Sequence, residues 1–102
     1  MTPKYAARKD GNQTQIATEL RQCGIDVEIT HTLGNGFGDI VCGWRGRNYI
    51  FEIKDPAQPP SNRRLTEDEE KFHREWGGQV DIILTTEDAL KVMGILPNSI
   101  GE

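Results

Sequence analysis

Long apolar runs, abundant cysteine and an excess of positive charge are all missing from this chain of 102 residues. No stretch approaches the roughly 18–20 apolar residues of a membrane-spanning helix, and the polar opening, residues 1–14, is unlike a secretion signal. With only two cysteines, Cys23 and Cys42, the chain lacks the disulfide framework of a small secreted module. We therefore expect a cytoplasmic protein with reduced thiols and no membrane partner.

The size and charge of the chain limit its organisation and its partners. The hydrophobic share of 35% is ordinary for a globular protein once the 11 glycines are added. We expect one domain over residues 1–102, with a core from about residue 10 to about residue 93 and a frayed tail at residues 97–102. Because the net charge is −4, binding to nucleic acid would require local basic clusters.

The hydrophobic periodicity predicts an α/β domain with seven elements in the order α-β-β-β-α-β-α. Apolar residues at helical spacing mark the helices, and alternating or continuous apolar runs mark the strands. The predicted elements span residues 12–23, 25–31, 39–44, 47–54, 66–76, 79–85 and 86–93. Thr66 and Glu69 form a capping box at the start of the second helix, and we assign Trp76, four residues after Phe72, to the core.

The hairpin of the two central strands brings two carboxylates together. A two-residue turn at Arg45-Gly46 would set Asp39 directly opposite Glu52 in the antiparallel ladder. Lys54, two residues beyond Glu52, would then point to the same face. A three-residue turn would instead put the two carboxylates on opposite faces, so the placement depends on the turn.

Asp39, Glu52 and Lys54 on one face suit the hydrolysis of phosphodiesters. Taken singly, a Gly-Asp step is typical of turns, and Glu-x-Lys occurs in many strands. Together, two carboxylates beside apolar Val41 and Ile50 would be costly to desolvate and would repel one another unless a cation joined them. Oxygen ligands alone favour Mg²⁺ or Mn²⁺, which can activate water and neutralise a phosphate in transfer. The pattern therefore indicates a metal-dependent phosphodiesterase.

The sequence also resembles a known nuclease superfamily over about residues 10–90. The shared features are Asn12-Gln13, the glycine-rich loop before Gly38-Asp39, the hairpin Gly43-Trp44-Arg45-Gly46-Arg47, Glu52-Ile53-Lys54, Pro59-Pro60-Ser61, Leu65-Thr66, Phe72-His73 and Trp76. This combination resembles the PD-(D/E)XK nucleases, and within them the small VRR-NUC-type enzymes of phages and bacteria. The resemblance implies a restriction-endonuclease-like core with a mixed central sheet flanked by helices. It further implies that Asp39, Glu52 and the Ile53 carbonyl bind the metal and that Lys54 orients the attacking water.

Three positions depart from the pattern of that superfamily. Gly38 stands where a proline usually precedes the aspartate, which changes the stiffness of the loop more than its chemistry. Gln15 stands near the place where many relatives carry a glutamate in the first helix. The later helix carries Glu69-Glu70 where relatives often have a glutamine, so Glu70 is a candidate to supply the missing charge. Gln15 and Glu70 are therefore accessory candidates for the metal site.

The expected partner is DNA. Local basic clusters could contact phosphates, although each could equally be a solvated loop charge; their members are Arg8, Lys9, Arg45, Arg47, Arg63 and Arg64. The resemblance implies a homodimer acting on branched DNA such as Holliday junctions, in a bacterium or a phage-infected cell. The alternative is a nuclease-fold module that binds nucleic acid or protein without cutting. A site-specific or RNA-directed nuclease would use the same core, because no residue here identifies a base or a 2′-hydroxyl.

Overall fold

A computed structural model describes residues 11–96 of the chain. The expected tail at residues 97–102 and the basic pair Arg8 and Lys9 lie outside the described residues. The helices and strands within them are α1 (Gln13–Gln22), β1 (Asp26–Ile29), β2 (Ile40–Trp44), β3 (Arg47–Ile53), α2 (Glu67–Glu75), β4 (Asp81–Ile83) and α3 (Thr86–Val92). Short 3-10 turns occur at His31–Leu33 and Pro60–Arg63. The predicted order of helices and strands is confirmed.

The four strands form one mixed sheet in the order β1-β2-β3-β4. β1 pairs antiparallel with β2, β2 pairs antiparallel with β3, and β3 pairs parallel with β4. The predicted α/β class is therefore confirmed, with three helices around a mixed sheet. None of the helices in residues 11–96 is long and apolar enough to cross a bilayer.

The hairpin between β2 and β3 closes with the two-residue turn that the sequence predicted. Arg45 (φ 51°) and Gly46 (φ 79°) both adopt positive φ, as the mirror-image turns of tight hairpins require. Trp44 therefore pairs with Arg47, and at the other end Ile40 pairs with Phe51. One further step along this ladder sets position 39 opposite position 52, so the turn fixes the geometry of the candidate site.

The hydrophobic core occupies one face of the sheet, beneath α1 and α3. Ile40, Phe51 and Ile53 point into it from the central strands and are fully buried. α1 contributes Ile16 and Leu20 at helical spacing. The remaining members of this core are Ala17, Ile25, Val27, Cys42, Ile83, Ala89 and Met93. This layer makes a rigid support for the opposite, more polar face of the sheet.

α2 lies on the opposite face and begins with the predicted capping box, in which Thr66 and Glu69 exchange hydrogen bonds. The helix buries none of its residues fully and packs through Phe72, whose ring lies 4.9 Å from that of Trp76 and 5.3 Å from that of Phe37. Our assignment of Trp76 to the core is wrong, because its side chain is 43% exposed. The helix ends at Glu75, and from its extended backbone the Trp76 ring stacks on Phe72 but stays partly open to solvent.

Candidate active site

Asp39 is fixed at the entrance of β2 by two hydrogen bonds with β3. Its backbone N–H donates to the carbonyl of Phe51 at 2.8 Å, which extends the antiparallel ladder by one step. Its side-chain Oδ2 accepts a hydrogen bond from the Ile53 N–H at 2.7 Å. Glu52 lies between these two partners in β3 and is only 2% exposed, and the negative charge of Asp39 acts directly on its carboxyl group. The structure thus brings together the two carboxylates that the hairpin register predicted.

Lys54 joins the same cluster, and a third carboxylate holds its side chain. Its Nζ lies 3.7 Å from Oε2 of Glu52 and 2.9 Å from Oε1 of Glu69. The same Oε1 accepts the Thr66 N–H at 2.9 Å, so the carboxylate that caps α2 also positions the lysine. Lys54 is buried, and only 8% of its side chain is exposed. Sequence reasoning treated Glu69 as a helix cap, although a glutamate at the third position of a helix can do both.

Burial and like charge determine the protonation of this cluster. Burial raises the pKa of Asp39, although the hydrogen bond from the Ile53 N–H acts to lower it. Burial, together with the negative charge of Asp39, raises the pKa of Glu52 to about 10. Burial also works against the ionisation of Glu69, but hydrogen bonds from Thr66 and Lys54 hold its pKa below the ordinary value. Without a cation, the Asp39–Glu52 pair therefore retains a proton near neutral pH.

The donor set of this cluster fits a hard divalent cation. Oε1 of Glu52 is buried and has no hydrogen-bond partner within residues 11–96, which leaves one oxygen of the pair available to an ion. Across residues 11–96 no group of three or more His, Cys, Asp and Glu side chains is arranged to hold a metal. An ion here would therefore bind two carboxylates and complete its shell with other oxygens. Mg²⁺ usually binds in this way, through one or two carboxylates and several waters.

A cleft of about 630 Å³ opens above these residues. Asp39, Glu52 and Lys54 line it together with the glycine-rich loop, the proline-rich connection and the start of α2. The other lining residues are Gly11, His31, Gly34, Asn35, Gly36, Phe37, Gln58, Asn62, Arg64, Thr66, Asp68 and Glu69. The carboxylates and the lysine are thus accessible from a space that can admit a substrate.

Two glycines allow the loop to approach its neighbours. Gly36 has a φ of 78°, and a side chain there would overlap the backbone carbonyl of Asp68 on α2. A Cβ on Gly38 would lie 2.5 Å from Cγ2 of Ile50 and 2.9 Å from the carbonyl oxygen of Phe51. The close approach of Gly38 to β3 explains why a residue without a side chain precedes Asp39.

Neither accessory candidate lies in the cleft. Gln15 is exposed, and its amide donates to Glu19 on the same helix at 3.1 Å. Glu70 is exposed as well, and it is absent from the residues that line the cleft. Instead, α1 buries Gln13 to 2% exposure, with its Nε2 3.3 Å from Nδ1 of His31, which lines the cleft. The buried Oε1 of Gln13 has no hydrogen-bond partner among the described residues.

The predicted basic residues divide between the two ends of the hairpin. Arg64 lines the cleft, and the neighbouring Arg63 donates from Nε to the carbonyl of Gln58 at 2.9 Å. Arg45 and Arg47 lie at the hairpin tip, the opposite end of β2 and β3 from the carboxylate pair. Among the predicted basic residues within 11–96, Arg64 is therefore the one placed to contact a phosphate bound beside Asp39.

Comparison with protein-family models, with curated proteins and with solved structures finds no significant match for this chain. The chemistry of the site is therefore the basis for assigning a function. Asp39, Glu52 and Lys54 can together bind a cation, a phosphate and a water molecule in one cleft.

Proposed function

We propose that this chain is a divalent-metal-dependent endonuclease that hydrolyses phosphodiester bonds of DNA. The observation that carries the proposal is the convergence of Asp39 and Glu52 beside the Nζ of Lys54. Oε1 of Glu52 is buried and has no partner among the described residues. Burying a pair of carboxylates costs stability, and a module that only binds a ligand has no use for such a pair. Its presence therefore favours a catalytic role.

The protein residues have distinct roles in this reaction. Asp39 and Glu52, with the Ile53 carbonyl, would hold Mg²⁺ or Mn²⁺, which when bound activates water and stabilises negative charge on the phosphate. Lys54 orients the attacking water and contributes positive charge to the phosphate. Glu69 keeps Lys54 in place through the 2.9 Å ion pair. The Ile53 N–H fixes the orientation of Asp39 through its 2.7 Å hydrogen bond.

The proposal includes membership of the PD-(D/E)XK superfamily. Three features support it: the order of elements around a mixed sheet, the placement of Asp39 opposite Glu52, and the position of Lys54 on the same polar face. These features follow from the described geometry and match what the sequence resemblance implies. The proposed fold assignment and the proposed chemistry therefore depend on the same three side chains.

DNA is the proposed substrate, and branched DNA such as a Holliday junction is its proposed form. Arg64 in the cleft supplies a positive charge for the backbone beside the cut site. The sequence resemblance also favours a homodimer, which would supply surface for two duplex arms. Light scattering at micromolar concentration, with and without a four-way junction, tests this state. Monomer alone under both conditions would exclude the dimer.

Cleavage of a substrate panel tests the proposed function. The panel contains a four-way junction, a flap, a linear duplex, single-stranded DNA and RNA, each with Mg²⁺ or Mn²⁺. We expect wild type to cut at least one DNA substrate and expect Asp39→Ala and Lys54→Ala to lose the activity. Glu70→Gln is the matched control, because it also changes one charge but lies outside the cleft. Binding without cutting in both ions would favour the alternative of a non-catalytic binding module.

A further inference from the structure

A second cavity lies at the hairpin tip, on the face of the sheet opposite the cleft. It measures about 370 Å³ and is formed by the tip residues together with the segment that follows α3. We call this cavity the tip pocket. Its principal lining residues are Trp44, Arg45, Arg47, Tyr49, Met93 and Ile95. Trp44 and Tyr49 pack against the hydrophobic core beneath α1 and α3, so the tip pocket belongs to that face.

The tip pocket combines aromatic rings with guanidinium groups. Cζ of Arg45 lies 5.3 Å from the ring centroid of Trp44, within the range of a cation–π contact. The Tyr49 ring is stacked on Phe51 at 6.3 Å with planes only 4° apart, and Phe51 is fully buried. Tyr49 is therefore held against a rigid support. Aromatic rings beside arginines recognise an unstacked base together with its phosphate.

The charge of the tip pocket also fits an anionic ligand. Neither Arg45 nor Arg47 forms a salt bridge within residues 11–96, and both side chains are exposed. Two unneutralised guanidinium groups at one pocket stand out in a chain with a net charge of −4. Met93 and Ile95 supply an apolar wall against which a base edge can pack.

We propose that the tip pocket binds a nucleotide of single-stranded DNA, with its base against Trp44 and its phosphates on Arg45 and Arg47. The proposal deepens the proposed function and rests on it for the identity of the substrate. The tip lies six residues along β2 from Asp39, which corresponds to about 20 Å at the usual rise of a strand. A straight duplex is stiff over such lengths and cannot contact opposite faces of one sheet. A single-stranded arm can pass around the sheet, so among linear substrates the proposal favours a duplex with such an arm over a blunt duplex.

Tryptophan fluorescence tests binding independently of cleavage. Trp76→Phe leaves Trp44 as the sole tryptophan of the chain, and its emission is followed during titration with an octathymidylate in EDTA. We expect saturable quenching, with affinity at least about tenfold weaker in the variant that also carries Arg45→Ala and Arg47→Ala. Trp44→Phe, which retains Trp76, is the matched control and should show no saturable change. Absence of quenching in the Trp44 protein, or quenching that survives both arginine replacements, would overturn the proposal.

Cleavage then tests the inferred substrate class. The ratio of the cleavage rate of a tailed duplex to that of a blunt duplex should exceed one in wild type. The ratio should fall toward one in the double arginine variant, since the arm loses its contact. An unchanged ratio in that variant would overturn the link to the substrate arm. If no substrate is cut while the Trp44 titration still saturates, the proposed nuclease function fails and nucleotide binding at the tip pocket stands.

Discussion

Oε1 of Glu69 lies 2.9 Å from Nζ of Lys54 and also accepts the backbone N–H of Thr66 at 2.9 Å. One carboxylate oxygen therefore serves the first turn of α2 and the lysine of the candidate site together. The start of this helix is thus part of the site, although none of its residues is fully buried. The position of α2 on the sheet should consequently affect activity as well as stability.

Comparison of Glu69→Ala with Thr66→Ala should separate the positioning of Lys54 from the capping of α2. Glu69→Ala releases Lys54 and weakens the cap, so we expect a loss of cleavage of about 10- to 100-fold. Thr66→Ala removes the other half of the cap, costs about 0.5–2 kcal/mol of stability and should retain most activity. Glu70→Gln controls for charge at the same helix end. Single-turnover cleavage rates and urea unfolding give both quantities. Equal losses of activity in Glu69→Ala and Thr66→Ala would refute a specific role of the ion pair.

The raised pKa of Glu52 predicts how stability depends on pH. Folding raises the pKa of this carboxyl to about 10. Its contribution to stability is therefore fully present below the unfolded pKa, where the group is protonated in both states. The contribution is lost as the pH rises through the folded pKa. In EDTA, wild type should therefore be less stable at pH 8 than at pH 5. Glu52→Gln should be more stable than wild type, and its advantage should be larger at pH 8. Urea unfolding at both pH values measures this, with Glu28→Gln on exposed β1 as control. An equal advantage at the two pH values would count against burial of an ionisable pair.

Divalent cations should stabilise the protein through the same pair. An ion that binds only the folded state at about 100 times its Kd adds about 2.7 kcal/mol to the free energy of unfolding. Mg²⁺ or Mn²⁺ should raise the melting temperature of wild type but have little effect on Asp39→Asn or Glu52→Gln. Potassium chloride at matched ionic strength controls for screening. The same rise in wild type and in both variants would place the ion elsewhere.

Gly36 should be required for the shape of the cleft. Gly36→Ala combines an unfavourable positive φ with overlap on the Asp68 carbonyl, so it should displace the loop from α2. Gly24→Ala is the matched control, since its φ of 86° is similar but no atom lies within 4 Å of the added Cβ. We expect a cost of about 1–2 kcal/mol for Gly24→Ala and a larger cost for Gly36→Ala, with reduced cleavage only in the latter. Comparable stability and activity in both variants would contradict the close packing.

The sequence predicts the centre of the site well because a two-residue turn determines the hairpin register. Asp39, Glu52 and Lys54 followed from that register alone. The contributions of the helices were harder to predict. Gln13 shares the helical face of Ile16, but a buried amide breaks the apolar pattern, and the family resemblance pointed to Gln15 instead.

Glu69 was missed for a different physical reason. Its capping role fully explained a glutamate at that position, and only tertiary packing brings the helix end to Lys54. Trp76 was assigned to the core on its spacing from Phe72, but the spacing could not reveal that the helix ends one residue earlier. Local patterns thus specified the strands, whereas the position of α2 depended on contacts distant in sequence.

Metal-dependent cleavage at the Asp39–Glu52 pair is tested most directly with a labelled four-way junction in Mg²⁺. Single-turnover cleavage is compared between wild type and Asp39→Asn. The change removes one charge from the carboxylate pair and keeps the size of the side chain. Wild type should cleave the junction, and EDTA should stop this cleavage. Asp39→Asn should lose cleavage but still bind the junction. Cleavage by Asp39→Asn at the wild-type rate, or wild-type cleavage that continues in EDTA, would contradict metal-dependent cleavage at this pair.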